Sequence, residues 1–147
     1  MLFKNILCPV DFSEPSRLAL RTATQLAIDN GAALVVVHAW ESPLLTEHSA
    51  MISRSETLAP ILRRDEDALL ALKHEIERSG LANVQTKLLF GVPWDAIVRE
   101  SRADPGYDVI VMGTHGRTGI LQVLLGSVAE RVARHASCPV LLVRPKG

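Results

Sequence analysis

Net charge, aromatic rings and cysteine are what this sequence has least of. Sixteen Lys and Arg offset 16 Asp and Glu over 147 residues, so the formal net charge is zero. A nucleic-acid binder carries a clustered basic excess, and the balance argues against that class. Two cysteines, Cys8 and Cys138, are too few and too far apart for a disulfide framework or a thiolate metal cluster. His48, His74 and His135 are scattered without zinc-type spacing. No apolar run approaches the ~20 residues that a membrane helix needs, and Met1 to Asn5 shows no signal-peptide pattern. The expectation is a reduced, cytoplasmic protein with neither membrane nor nucleic acid as partner.

Several nucleotide and hydrolase signatures are absent as well. There is no Gly-x4-Gly-Lys-(Ser/Thr) loop and no Gly-x-Gly-x-x-Gly after the first apolar run, which disfavours P-loop NTPases and dinucleotide dehydrogenases. The Ser-Gly-Gly-type loop of ATP pyrophosphatases, the His-x-Gly-His of nucleotidylyl transferases and a Gly-x-Ser-x-Gly elbow are also missing.

What is present is apolar and regularly punctuated. Hydrophobic residues make up 48% of the chain, which with zero net charge excludes intrinsic disorder. A chain of this length buries about 68–70% of its unfolded surface without help from metals or disulfides. Phe3 to Val10 reads as a first strand, closed by Pro9 and Asp11. Ser13 is placed to cap a helix with Pro15 in its first turn, the stripe Ala19, Ala23, Leu26, Ala27 follows, and Gly31 supplies the stop. Ala32 to Ala39 holds a β-branched run without polar alternation, suited to a strand covered on both faces. A long connection, Ser42 to Thr57, precedes a helix over about Leu58 to Ser79; the connection is a candidate gate or partner surface. That helix carries Leu62, Leu69, Leu72 and Ile76 on one stripe, with Arg63, Arg64, Glu66, Lys73 and Glu77 read as a solvated face. Val84 to Phe90, Tyr107 to Met112 and Pro139 to Val143 read as further strands, with helices after Pro93 and around Ser127 to Ala136. Strands alternating with helices imply parallel pairing through right-handed crossovers. The expected fold is a five-stranded doubly wound α/β sheet, with residues 1–147 as a single domain.

In such a sheet, ligands bind beyond the carboxyl ends of the strands, where the strand order reverses. The residues to read are therefore Pro9 to Ser13, His38 to Glu41, and Gly113 to Gly119 with Gly126 and Ser127. Gly113, Gly116 and Gly126 let the backbone turn tightly and a ligand approach closely, and Gly126-Ser127 opening a helix offers N–H groups and a positive dipole end to a phosphate. His115 and Arg117 add potential donors. Bland readings stand beside these: Asp11 as a turn or cap residue, His38 as a buried strand-end residue, His115 as a loop histidine bonded to backbone, Arg117 as solvated and Ser127 as an N-cap.

The spacing Gly113-x2-Gly116-x9-Gly126-Ser127 resembles the nucleotide motif of the universal stress protein family. The opening Ile6 to Ser13, the Gly91-Val92-Pro93 turn, Leu125 to Glu130 and the closing Cys138 to Val143 are similar to the same family, so the resemblance spans the chain. It implies the family's ATP-binding branch, with magnesium or manganese carried on the phosphates. By position it places Pro9, Val10 and Ala39 near the base, with Asp11 on the ribose hydroxyls or adenine edge. Met112 and Gly113 would line the adenosine pocket, and His115, Gly116, Arg117, Gly126, Ser127 and Val128 would surround the phosphates. It further implies an antiparallel homodimer joined along Val140 to Val143, an apolar edge that invites pairing. The function so implied is a stress-response sensor or partner-binding switch; the alternative is an enzyme with slow ATP hydrolysis or phosphoryl or adenylyl transfer, using His115.

Overall fold

The structure, a computed structural model, describes residues 3–41, 59–115 and 125–145. The Ser42–Thr57 connection, Gly116 and Arg117 lie outside them. Nine elements alternate along the chain: β1 (Asn5–Pro9), α1 (Glu14–Asn30), β2 (Ala33–Trp40), α2 (Ala59–Arg78), β3 (Val84–Phe90), α3 (Pro93–Ser101), β4 (Val109–Gly113), α4 (Ser127–His135) and β5 (Val140–Val143). All strand pairs are parallel, in the order β3-β2-β1-β4-β5. The expected five-stranded doubly wound sheet is the fold observed.

Two-residue periodicity divides the core. Ile6 and Cys8 of β1, Leu34 and Val36 of β2, and Val109 and Val111 of β4 pack with Leu20, Ala23 and Ala27 of α1 and Leu69, Leu72 and Ile76 of α2. The alternate residues Leu7, Val37, Ile110 and Met112 pack with Ala96 and Ile97 of α3 and Ala129 and Val132 of α4. Strands covered on both faces need no polar alternation, which is why β4 is buried at all five positions.

Local chemistry sets the ends. The Ser13 hydroxyl accepts from the Ser16 N–H to cap α1, and Gly31 closes that helix in the left-handed region at φ +62°. The fourth strand starts at Val109 rather than Tyr107, and the two residues before it are tied down by their side chains. Asp108 Oδ2 accepts the N–H groups of Lys4 (2.7 Å) and Asn5 (2.8 Å), which holds its carboxyl below the usual aspartate range. The Tyr107 hydroxyl donates to Glu100 Oε2 at 2.9 Å, while Lys87 Nζ donates to Glu100 Oε1 at 2.8 Å. Burial and the Glu100 carboxylate push the Tyr107 phenol well above its ordinary value. Burial likewise raises the thiols of Cys8 and Cys138, both free. Among the described residues, no helix is long and apolar enough to cross a membrane.

Candidate functional site

Strand order reverses between β1 and β4: the chain builds outward from β1 to β3, then returns to place β4 on the other side of β1. Loops leaving these two strands diverge to opposite faces and leave a crevice at their carboxyl ends. A cavity of about 540 Å³ occupies that position, within the ~300–1,000 Å³ range of small-molecule sites.

The cavity is lined by Pro9 at the end of β1, by Val10 and Asp11 just after it, and by Met112 and Gly113 at the end of β4. Phe12 follows in the left-handed region at φ +65°, a conformation that costs a non-glycine residue on the order of 1–3 kcal/mol. The ring is held against His38 with centroids 4.7 Å apart. This turn sets Asp11 at the cavity edge, where its Oδ1 accepts from the Ser13 N–H (3.0 Å) and the Ser13 hydroxyl. Asp11 is thus a turn residue and a cavity residue at once, so the two readings of it are compatible.

One end of the cavity is built by Thr114, His115, Gly126, Ser127, Val128 and Ala129. The buried Thr114 carbonyl accepts the Gly126 N–H at 2.7 Å, tying the end of β4 to the start of α4. This corrects the expectation that Gly126 offers its own N–H to a ligand. Gly126 is the N-cap, has no side chain to cap the helix, and its carbonyl accepts from Glu130 N–H at 3.0 Å. The N–H groups of Ser127, Val128 and Ala129 therefore carry no acceptor among the described residues, and they sit at the positive end of the helix dipole. Ser127 is the first helical residue, not the cap. His115 Nδ1 is hydrogen-bonded to the Thr114 hydroxyl at 3.0 Å.

Gly113 also needs a revised account. A Cβ there would lie 2.9 Å from the Pro15 carbonyl oxygen and 3.0 Å from its carbonyl carbon. The close approach that requires glycine is that of the first turn of α1; the ligand side is not what demands it.

The other end is lined by Ala39 and Trp40 at the end of β2, by Glu41 just after it, and by Arg64 and Asp65 of α2. His38 is buried, as expected of a strand-end residue, yet it too lines the cavity. Its Nδ1 lies 2.8 Å from the Val10 carbonyl, and its Nε2 is 3.7 Å from Asp65 Oδ2. Arg64, assigned to the solvated face of its helix, keeps its side chain largely exposed while Nε reaches 3.8 Å from Asp65 Oδ1. Asp65, Ser16 and Thr114 were not singled out from sequence. A signal for Asp65 existed: it falls on the stripe of Leu62, Leu69, Leu72 and Ile76, where a carboxylate is out of place. Among the described residues, no cluster of three or more His, Cys, Asp or Glu side chains is arranged to hold a metal ion.

Residues 2–144 match the model of the universal stress protein family. The chain belongs to that family. It is similar to a putative universal stress protein of Staphylococcus haemolyticus, 33% identical over 98% of this chain and 86% of that one. Among solved structures it is similar to the universal stress protein UspA from Lactobacillus plantarum, with TM-score 0.84 and 26% identity over 98% of this chain and 99% of that one. It is also similar to a universal stress protein solved in complex with cAMP, with TM-score 0.74 and 25% identity over 97% and 98% of the two chains. The resemblance noted from the glycine spacing and the strand-end segments is thereby established as family membership.

Proposed function

We propose that this universal stress protein binds ATP in the switch-point cavity and acts as a nucleotide-dependent sensor or partner-binding switch. The observation that carries the reading is the start of α4, where three N–H groups with no acceptor among the described residues open on a cavity of nucleotide size. Phosphates seated there receive local positive potential that a chain of zero net charge does not supply globally. The base then lies across β1 toward Ala39, with Pro9 and Val10 beneath it and Asp11 on the ribose or the adenine edge. The cAMP complex of a relative supports an adenine nucleotide as ligand. Magnesium or manganese would travel on the phosphates.

Sensing fits the site better than catalysis. Among the described residues lining the α4 end, His115 is the one titratable group, so little acid–base machinery faces the phosphates. The protein as a whole is read as one cytoplasmic domain that dimerises through β5, whose outer edge has no strand beside it among the described residues.

Calorimetry of nucleotide-stripped protein with Mg·ATP tests this reading. Saturable binding, with ATP turnover too slow to follow over many minutes, is the expected result. No heat and no saturation would remove the binding claim, and rapid turnover abolished by His115→Ala would replace the switch by an enzyme.

A further inference from the structure

The two ends of the cavity differ in charge. N–H groups of α4 that have no acceptor among the described residues lie at one, while the carboxylates of Glu41 and Asp65, with the largely exposed Arg64 beside Asp65, line the other. The ends of β4 and β2 are separated by β1, so they stand two strand spacings, roughly 10 Å, apart. A nucleotide whose phosphates sit on α4 therefore directs its base at the acidic end, since the reverse orientation sets phosphate against carboxylate.

Asp65 is an unusual residue to find there. It is 7% exposed and makes no hydrogen bond among the described residues, with its nearest cationic partners at 3.7 Å and 3.8 Å, beyond hydrogen-bonding distance. The imidazole beside it cannot satisfy it as a neutral ring. Val10 contributes a carbonyl, which only accepts, so the hydrogen of neutral His38 resides on Nδ1. Nε2 is then a second acceptor facing Oδ2 of Asp65 across 3.7 Å. If His38 is protonated, Nε2 becomes a donor, but the carboxylate still offers lone pairs to the cavity. Beside neutral His38, the Asp65 carboxylate has no donor within hydrogen-bonding distance among the described residues, and its lone pairs are left for a donor that enters the cavity.

We propose that Asp65, beside His38, reads the base: its carboxylate accepts a hydrogen bond from the exocyclic amino group of a 6-aminopurine. An oxo group at that position would set lone pair against carboxylate, and a bare C–H would leave the carboxylate unsatisfied. The assignment rests on the nucleotide reading above and deepens it by naming what selects the base.

The test compares binding of ATP and of purine riboside triphosphate, which lacks only the 6-amino group, to the wild type and to Asp65→Ala. Wild type is expected to prefer ATP by about tenfold or more, the size of a lost hydrogen bond to a charged group. In Asp65→Ala that preference is expected to fall to within about twofold. Equal affinities in the wild type overturn the proposal even if the variant does not fold, and so does a preference that survives in the variant. If neither nucleotide binds the wild type, the nucleotide reading itself fails. If both bind equally, the base-reading role fails alone.

Discussion

Gly113 and Pro15 stand so close that a single methyl group would not fit between them: a Cβ on Gly113 would meet the Pro15 carbonyl oxygen at 2.9 Å. The end of β4 and the first turn of α1 thus approach closely behind Gly113, a residue that lines the cavity. Gly113→Ala is expected to destabilise the fold by about 1–3 kcal/mol, the usual cost of overpacking. It should also weaken the proposed ATP binding, because a shift of α1 would move Ser16 and the turn that carries Asp11, both of which line the cavity. Urea denaturation beside calorimetry measures both effects; a variant as stable as wild type would show that the contact is relaxed.

The start of α4 allows one donor to be removed without breaking a helix. Proline is tolerated at the first helical position, where its missing N–H has no helical partner. Ser127→Pro is therefore expected to keep thermal stability within about 1 kcal/mol of wild type, yet lower ATP affinity about tenfold or more. Ser127→Ala, which keeps the N–H, should lose much less. Equal losses in the two variants would assign the contact to the hydroxyl instead.

Asp108 makes stability depend on acid. Its folded pKa lies below the unfolded value of about 3.9, so its contribution is complete above that pH. The contribution is lost as pH falls through the folded pKa. Asp108→Asn should be less stable than wild type at neutral pH, with the gap closing toward pH 3. Denaturation midpoints of both proteins from pH 7 downward would show it, and a constant gap would mean that charge is not the source.

β5 is an edge strand on which Leu141 is 42% exposed. Dimerisation through Val140 to Val143 predicts a dimer mass by light scattering at micromolar concentration. Leu141→Lys, a charge on the edge, should shift that mass toward the monomer without unfolding the chain. A monomeric wild type would contradict the dimer.

Much of this arrangement is legible in the residues. The unalternated apolar runs mark β2 and β4 as covered on both faces, and Ser13 and Gly31 bound α1 where capping chemistry predicts. Asp11 and Gly113 could be placed at one crevice because strand ends converge in a doubly wound sheet, whereas Met112 was placed there by the family resemblance. What escaped depends on tertiary partners. Which N–H groups of α4 stay open is decided by the Thr114 carbonyl, which takes that of Gly126. Nothing in a phenylalanine announces a left-handed backbone, yet Phe12 adopts one and packs its ring, tilted, against His38. Asp65 was hidden among the exposed charges of its own helix and shows itself only once the buried face of α2 is known.

The central claim is that phosphates of an adenine nucleotide sit on the N–H groups of Ser127, Val128 and Ala129. Amide NMR of nucleotide-free, nitrogen-15-labelled protein, titrated separately with Mg·ATP and with adenosine, tests it most directly. Saturable shifts of these three amides with ATP, and little change with adenosine, are expected. Amides that stay unmoved at saturating ATP, or that respond equally to adenosine, would contradict it.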